Sequence, residues 1–496
     1  MNTWFDEMEA KIPRGGVRTR FAPSPTGFMH VGGLRTALYA YLVAKKAGGV
    51  FILRIEDTDT ARFVEGATEI IIETLKGAGL NYDEGPDAGG PAAPYTQSER
   101  KALYLPYAGL LCEKGAAYYC FCEPASQTGA KPGEVRDDDP CRDLPYKDSK
   151  RRADGGAPFV VRMKAPREGA TIVEDMVFGT VTTLNKTLDD MVLLKRDGLP
   201  TYNFANVIDD HLMGVTHVIR GEEYISSTPK YNLLYQALGW DIPYYVTVSN
   251  IMRDAQNKLS KRHGDPTYDD LLGRGYLPDA VLNYVALLGW SPGGERELFT
   301  LSEMQDVFDI KGISKSPAIF DIEKLNYFNS EYIRALPPAS FAEMAKPYIR
   351  LAVKNENIDT GAIAHILQAR CEKLNDIPEK IDFFDALPDY NTELFIHKKS
   401  KTDEGISLKM LHAARGALEG VTDWTAESVH DTLIALAGEQ GVKNATLMWP
   451  VRIAVSGKAV TPGGAVEICH ILGRSETIRR IDAGIEKLSE ASTEGS

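Results

Sequence analysis

Two glycines and a histidine near the start of the chain have the types and spacing of a phosphate site. His30 precedes Gly32 and Gly33, and the apolar residues that follow repeat at helical spacing. The first backbone N–H groups of such a helix have no partner within it, and glycine has no Cβ to keep an anion away. The His30 imidazole could donate to a phosphate oxygen. The turn indicates a nucleotide site, although similar turns also occur as plain structural elements.

A second group of charged residues lies near the middle of the chain. Residues 257–264 read Asn-Lys-Leu-Ser-Lys-Arg-His-Gly and include Lys258 and Lys261. Lysine acts as a mobile point charge that can follow a triphosphate. Such a run by itself is usually a solvated basic loop. The basic run indicates a nucleotide site only when it is considered together with the glycine turn.

A group of three cysteines is the third chemical feature. Cys120 and Cys122 form a Cys-x-Cys pair, and Cys141 stands two residues before Asp143. Three thiolates could bind zinc tetrahedrally with Asp143 or another group as the fourth ligand. A pair of unligated thiols accounts for the pattern equally well, so both interpretations stay open here. Six cysteines in so long a chain do not suggest a disulfide framework.

The surrounding pattern explains how distant groups can meet. Strand patterns at 17–21 and 50–55 enclose a helical pattern, which makes a parallel βαβ unit. A second strand, helix and strand run from 215 to 248. Open α/β sheets bind ligands at the carboxyl ends of their strands, where Glu56 and Arg220 lie. Helical patterns replace this alternation beyond residue 265.

We therefore expect an α/β protein with a doubly wound parallel-sheet (Rossmann-like) catalytic domain, an inserted α+β domain and an all-α last part. The expected domains are a first catalytic half (1–96), the insertion (97–201), a second catalytic half (202–264), a smaller domain (265–337) and a helical region (338–496), which could form two subdomains.

Composition narrows the class of protein. The 496 residues exceed one core, and 43% hydrophobic with 25% charged residues is the balance of a soluble globular protein. A net charge of −13 argues against indiscriminate nucleic-acid binding but leaves room for a local basic track. The sequence has no membrane-length apolar run and no signal-peptide pattern, so we expect a cytoplasmic protein.

Taken together, two motifs resemble the signatures of class I aminoacyl-tRNA synthetases, called HIGH and KMSKS. They are Ser24-Pro-Thr-Gly-Phe-Met-His-Val-Gly-Gly33 and Lys258-Leu-Ser-Lys-Arg262. Further sequence segments, spread over nearly the whole chain, are similar to those of bacterial-type glutamyl-tRNA synthetases. These segments include Arg20-Phe-Ala-Pro-Ser-Pro-Thr-Gly27, Arg54-Ile-Glu-Asp-Thr-Asp59 and Pro200-Thr-Tyr-Asn-Phe-Ala-Asn-Val-Ile-Asp-Asp-His211.

The resemblance implies activation of L-glutamate by ATP with Mg²⁺, followed by transfer to the terminal adenosine of a glutamate tRNA. It implies catalytic roles for His30, Lys258 and Lys261. The implied ATP contacts are Thr26, Gly27, His30, Gly32, Gly33, Lys258, Ser260 and Lys261. The implied glutamate pocket is Arg20, Ala22, Ser24, Glu56, Tyr202, Asn206 and Arg220.

It also implies that the insertion grips the tRNA acceptor end, that residues 265–337 contact the stem and that the helical remainder reads the anticodon. Arg370 lies where the family can use an arginine to sense an anticodon base, although a solvated helix face is the preferred interpretation of this position. Related enzymes end the cysteine loop in Cys-x-His, whereas this chain has Cys141-Arg-Asp143. We expect a monomer that binds no membrane.

Two other interpretations fit parts of the sequence. A glutaminyl-tRNA synthetase would share the signatures, but its anticodon-binding part is built from β-barrels, and the last third here has helical patterns. A tRNA-binding regulator with an inactive site is the alternative from outside the enzymes. The presence of His30, Lys258 and Lys261 argues against it.

Overall fold

The computed structural model describes residues 3–59, 64–123, 139–259 and 264–494. It divides into two compact units, Met1–Leu271 with Pro278–Ile322, and Leu272–Leu277 with Glu323–Ser496. Ser260 and Lys261, both expected to contact ATP, fall outside the described residues. None of the helices in the described ranges combines the length and the apolar character needed to cross a bilayer.

The first unit alternates strands and helices through most of its length. Its elements are α1 (Thr3–Ala10), β1 (Arg18–Phe21), α2 (Val31–Lys46), β2 (Val50–Leu53), α3 (Ala67–Gly77), α4 (Lys101–Glu113), β3 (Ala117–Cys120), α5 (Tyr146–Asp154), β4 (Val160–Met163), β5 (Ala170–Asp175), β6 (Gly179–Leu184), β7 (Val192–Leu194), α6 (Tyr202–Leu212), β8 (His217–Gly221), α7 (Thr228–Leu238), β9 (Tyr244–Val248), β10 (Ile251–Met252), α8 (Tyr268–Gly273), α9 (Pro278–Leu287), α10 (Leu301–Val307) and β11 (Ala318–Ile319). The helix α8 ends two residues beyond the boundary of this unit.

A six-stranded sheet in the order β2-β1-β8-β9-β5-β6 forms the centre of this unit. The first five strands run parallel, and β6 pairs antiparallel with β5. Gly49 makes the turn into β2 feasible, because a Cβ there would lie 2.0 Å from the carbonyl oxygen of Val17. The expected doubly wound parallel sheet is confirmed.

A separate antiparallel sheet, in the order β3-β4-β7, lies in the range predicted for the insertion. The hairpin of β5 and β6 lies in that range too, yet it extends the main sheet. Its attachment is polar, since Asp175 pairs with Tyr245 in parallel register and its carboxylate accepts a hydrogen bond from the Thr247 N–H at 3.1 Å. The range predicted for the insertion therefore contributes two strands to the main sheet and also forms a separate sheet.

A buried carboxylate on α6 anchors the start of the inserted segment. Asp209 accepts hydrogen bonds from Arg100 Nε at 2.6 Å, from Gln97 Nε2 at 2.9 Å and from the Tyr104 hydroxyl at 2.8 Å. All four side chains are buried. Charged acceptors of this kind form the stronger hydrogen bonds of a protein interior. This network holds α4 against α6.

The second unit is helical, as expected. Its helices are α11 (Ile322–Ala335), which begins at the last residue of the first unit, α12 (Pro338–Ala352), α13 (Thr360–Gln368), α14 (Ile377–Ile381), α15 (Glu404–Glu419), α16 (Ala426–Glu439), α17 (Asn444–Ser456) and α18 (Ala465–Glu494). Helix α18 bends at Gly473, whose φ is +79°. Leu433, Leu447 and Ile468 are among the residues fully buried between the last four helices.

We predict that Tyr104→Phe lowers the free energy of unfolding by about 1.5–3 kcal/mol, because it removes a hydrogen bond to the buried Asp209 carboxylate. Tyr107→Phe is the matched control. Tyr107 is buried on the same helix, and its hydroxyl has no hydrogen-bond partner among the described residues, so its loss should change stability little. Urea denaturation followed by circular dichroism measures both, and equal effects would contradict the role of Asp209.

Candidate functional site

A cavity of about 810 Å³ opens at the carboxyl ends of β1, β2, β8 and β9. It collects residues from four separate parts of the sequence. Ten of the predicted site residues line it: Arg20, Ala22, Ser24, His30, Gly32, Gly33, Glu56, Tyr202, Arg220 and Lys258. Parallel strands present their carboxyl ends on one edge of the sheet, which is why these residues meet.

Other predicted residues lie elsewhere. Thr26 and Gly27 line a neighbouring cavity of about 420 Å³, which shares His30 and Gly33 with the first. Asn206 is buried one helical turn below Tyr202 and donates to its carbonyl oxygen at 2.9 Å. It does not line the main cavity in the described part of the chain.

His30 caps the helix that follows the glycine turn. Its Nδ1 accepts a hydrogen bond from the Gly32 N–H at 3.1 Å, and the residue has extended backbone angles as the N-cap of α2. Nε2 is therefore the protonated nitrogen of the neutral ring. The Gly32 N–H is therefore not open to a phosphate in this structure, because the histidine side chain occupies that donor.

Arg220 is a buried cation at the end of β8. Its guanidinium lies 4.5 Å from the centre of the Tyr245 ring and 5.0 Å from that of Tyr231, and Nη2 donates to the Thr228 hydroxyl at 2.6 Å. Nε has no hydrogen-bond partner, and no acidic side chain forms an ion pair with Arg220 in the part of the chain that the structure describes. Glu222 and Glu223 follow Arg220 closely in the sequence, but neither forms an ion pair with it in these ranges. A buried cation of this kind fits an anionic ligand.

Glu56 directly follows Ile55 after β2 and is buried at the cavity wall. Burial raises the pKa of its carboxyl to about 7, although the nearby Arg54 and Arg20 favour the ionised form. Tyr202 lies near it on α6, and burial places the pKa of its hydroxyl well above the ordinary value. The wall thus offers a hydroxyl donor beside a carboxylate that titrates near neutrality.

Residues without a predicted role complete the wall or lie behind it. Lys195 lines the cavity and donates to the Thr58 carbonyl oxygen at 3.1 Å. Arg54 and Asp210 lie behind the wall and contact Arg20 and Glu56. Both belong to sequence segments similar to the synthetases. The available signal for Arg54 was a charge directly after a strand, whereas Asp210 lies inside α6 and carried no such signal. Their pairing could not be predicted because 156 residues separate them.

The cysteine group folds into a compact cluster, with a different carboxylate from the one predicted. The ligand atoms of Cys120, Cys122, Cys141 and Asp139 all lie within 4.8 Å of one another. Asp143 is not among them; its side chain is 85% exposed and pairs with Lys164 at 3.1 Å. Asp139 points inward because it accepts the Cys141 N–H at 2.9 Å across a short turn, whereas Asp143 lies beyond that turn.

A further cavity of about 560 Å³ lies in the second unit. The His397 and Trp449 rings stack in it at 3.7 Å with an interplanar angle of 5°, and the Arg452 guanidinium lies 4.5 Å from the centre of the Trp449 ring. Arg370 is exposed, as a solvated side chain would be, but it lines this cavity and donates to the Thr461 carbonyl oxygen at 2.7 Å. Stacked aromatic rings beside arginines are the usual components of a single-stranded nucleic-acid site.

Comparison with known proteins agrees with this geometry. Residues 16–327 match the family of class I tRNA synthetase catalytic domains (E and Q), and residues 340–485 match an anticodon binding domain family. The chain is 53% identical to a glutamate–tRNA ligase of Clostridium botulinum and 52% identical to one of Clostridium tetani, over 95% of this chain and 98% of each relative. A crystal structure of a glutamate tRNA ligase from Elizabethkingia meningosepticum in complex with its amino acid superposes with a TM-score of 0.85 at 35% identity, over 95% of this chain and 99% of that one.

We predict a stability difference between the wild type and Glu56→Gln that depends on pH. The unfolded chain releases the Glu56 proton near its ordinary pKa, whereas the folded chain retains it up to about pH 7. The wild type should therefore lose stability relative to the variant as the pH rises through this window, and the difference should level off above it. Urea denaturation of the ligand-free protein at four pH values between 4.5 and 8 measures this, and a constant difference would contradict the raised pKa.

Proposed function

Because the chain belongs to the glutamate–tRNA ligase family of class I tRNA synthetases, we propose that it activates L-glutamate with ATP and transfers it to tRNA. In the first step the α-carboxylate of glutamate attacks the α-phosphate of ATP, and pyrophosphate leaves. In the second step a hydroxyl of the terminal tRNA adenosine attacks the carbonyl carbon, and AMP leaves. No covalent bond to the protein forms, so the protein acts by positioning and by stabilising charge.

The observation that carries the proposal is the buried Arg220 without an acidic partner in the described part of the chain. The side-chain carboxylate of glutamate supplies the missing charge, and an arginine fork can hold it with two hydrogen bonds. Glutamine would leave Arg220 buried and unpaired, which costs several kcal/mol. Glu56 would accept the α-ammonium group, and the Tyr202 hydroxyl would donate to the substrate.

The phosphate side of the cavity is assigned to the two signature motifs. The start of α2 carries His30, Gly32 and Gly33. Lys258 is far from them in the sequence but lines the same cavity. We retain Ser260 and Lys261 as ATP contacts on the basis of the motif alone. Mg²⁺ accompanies ATP in this family and neutralises part of the phosphate charge.

We assign the cavity of the second unit to the anticodon of the tRNA, because it lies inside the range that matches an anticodon binding domain. The stacked His397 and Trp449 rings provide a surface for a base, and Arg370 and Arg452 provide donors and positive charge. Val460 lines the same cavity with 83% of its surface exposed, which suits contact with a base face.

Zinc fits the cysteine cluster of the inserted segment. Tetrahedral zinc with sulfur ligands at 2.3 Å requires sulfur atoms about 3.8 Å apart. The Cys122 and Cys141 sulfurs are 3.7 Å apart, and the Asp139 carboxylate lies 3.3 Å from the Cys120 sulfur and 3.7 Å from the Cys122 sulfur. Cys120, Cys122, Asp139 and Cys141 would hold the metal, which would tie the end of β3 to the turn at residues 139–141 without entering the reaction.

We predict glutamate-dependent exchange between ATP and pyrophosphate, measured with and without glutamate tRNA and with glutamine as the control substrate. Arg220→Gln should raise KM for glutamate at least about thirtyfold, equivalent to about 2 kcal/mol, because one partner of a buried charge pair is lost. Its preference for glutamate over glutamine should fall by a similar factor.

Arg296→Gln is the matched control, since Arg296 also stacks on an aromatic ring, that of Phe299, but lies on the surface. It should leave KM unchanged. Exchange with glutamine alone would overturn the proposed substrate. A folded protein that binds tRNA but shows no exchange with either amino acid would support the regulator instead.

We predict about one zinc per chain, measured by mass spectrometry of the purified protein, and release of that zinc to a colorimetric chelator. Asp139→Ala should weaken zinc binding at least about tenfold, because it removes a ligand. Asp143→Ala is the matched control, because the exposed Asp143 carboxylate pairs with Lys164 outside the cluster. Loss of zinc in the Asp143 variant but not in the Asp139 variant would contradict the assignment.

A further inference from the structure

Four charged side chains form a continuous row behind and beside the main cavity. Arg20 donates to both oxygens of Asp210, at 3.1 and 3.2 Å. Arg54 donates to Asp210 at 2.6 Å and to Glu56 at 3.0 Å. We call Arg20, Asp210, Arg54 and Glu56 the buried quartet; its members are between 0 and 4% exposed.

The two ends of the buried quartet differ from its middle. Arg20 and Glu56 line the cavity, whereas Asp210 and Arg54 do not. Arg54 is completely buried, and it uses both terminal nitrogens on the two carboxylates. The middle pair therefore acts on a ligand only through the two end residues.

The middle pair fixes the orientation of both end residues. Two of the five N–H groups of Arg20 bind Asp210, and a third donates to the Ile219 carbonyl oxygen at 3.1 Å. All three guanidinium nitrogens are thereby held, and among the described residues one N–H on each terminal nitrogen is left for a ligand. Glu56 is held in the same way by Arg54, whose bond occupies one carboxylate oxygen.

Helix α6 supplies the carboxylate that joins these groups. Residues 202, 206 and 210 lie four apart and so share one helix face. Asp210 therefore ties the face that carries Tyr202 to Arg20 on β1 and to Arg54 after β2. Ions buried in this way are costly unless their geometry is complete, so the row has little freedom to shift.

We propose that Asp210 and Arg54 are positioning residues of the amino-acid pocket, which hold Arg20 and Glu56 in the orientation that receives glutamate. This inference rests on the proposed assignment of the cavity to glutamate. Neither residue touches the substrate. Their removal should affect the binding of glutamate and leave the binding of ATP nearly unchanged.

The pKa of Glu56 can distinguish a positioning role of Arg54 and Asp210 from a general effect of their loss on stability. Among the described residues, the charged and titratable groups that face Glu56 are Arg54, Arg20, Asp210, Tyr202 and Tyr224. Arg54 favours the ionised carboxyl most among its neighbours, and Asp210 opposes it. Arg54→Gln should therefore raise the Glu56 pKa, and Asp210→Asn should lower it.

The test measures tRNA-dependent pyrophosphate exchange from pH 5.5 to 8.5 for the wild type, Arg54→Gln and Asp210→Asn. We expect KM for glutamate to rise about tenfold or more in both variants, with KM for ATP within about twofold of the wild type. The acid limb of kcat/KM for glutamate should move to higher pH in Arg54→Gln and to lower pH in Asp210→Asn. Movement in the same direction, or none, would overturn the inference.

Asp209→Asn is the matched control. Asp209 is equally buried on α6, but it faces Arg100 and Tyr104 instead of the cavity. Its loss should lower the melting temperature without moving the acid limb. A similar movement in this variant would show that the limb reports stability alone and would also overturn the inference.

A double variant keeps the test decisive if the single variants fold poorly. Arg54→Met with Asp210→Asn removes one charge of each sign, so the remaining Arg20 and Glu56 are an oppositely charged pair and no single uncompensated charge is created. A folded double variant with the wild-type KM for glutamate would overturn the positioning role, and a raised KM would support it. Failure of the wild type itself to activate glutamate would instead refute the proposed function, so the two failures are distinguishable.

Discussion

The structure of the catalytic unit depends on one buried carboxylate that two arginines share. Asp210 accepts hydrogen bonds from Arg20 on β1 and from Arg54 directly after β2. Burial opposes ionisation of this carboxyl, but Arg20 and Arg54 together hold its pKa below the ordinary value. A buried ion pair with poor geometry would destabilise the fold. Helix α6 and the strands β1 and β2 must therefore keep the relative positions in which Arg20, Arg54 and Asp210 are all hydrogen-bonded.

The adjacent residue extends this constraint to the inserted segment. Asp209 turns away from the cavity and binds Arg100, Gln97 and Tyr104. Two consecutive carboxylates on α6 thus face two different polar networks, one behind the proposed amino-acid pocket and one at the start of residues 97–201. The same short helix therefore supports the proposed amino-acid pocket and the segment for which the family resemblance implies contact with the tRNA acceptor end.

The cysteine cluster shows how local backbone geometry selects a ligand. Asp139 and Asp143 stand two residues to either side of Cys141, and both carry a carboxylate. The Asp139 side chain accepts the N–H of Cys141 and is thereby directed toward the thiols, while Asp143 emerges on the surface next to Lys164. Burial raises the pKa of the Cys122 thiol to about 12, so a metal that binds this sulfur must displace its proton.

The sequence by itself was sufficient for the parallel sheet, the helical second unit and ten of the residues that line the main cavity. Hydrophobic periodicity and strand-end position are local properties, and the motifs around His30 and Lys258 are long enough to be specific. Tertiary structure alone decided which charges meet. The pairing of Arg54 with Asp210, the isolation of Arg220 from nearby glutamates and the choice of Asp139 over Asp143 depend on side-chain direction and burial. Those are set by contacts between distant segments, since an ion pair becomes strong only after packing removes water from both partners.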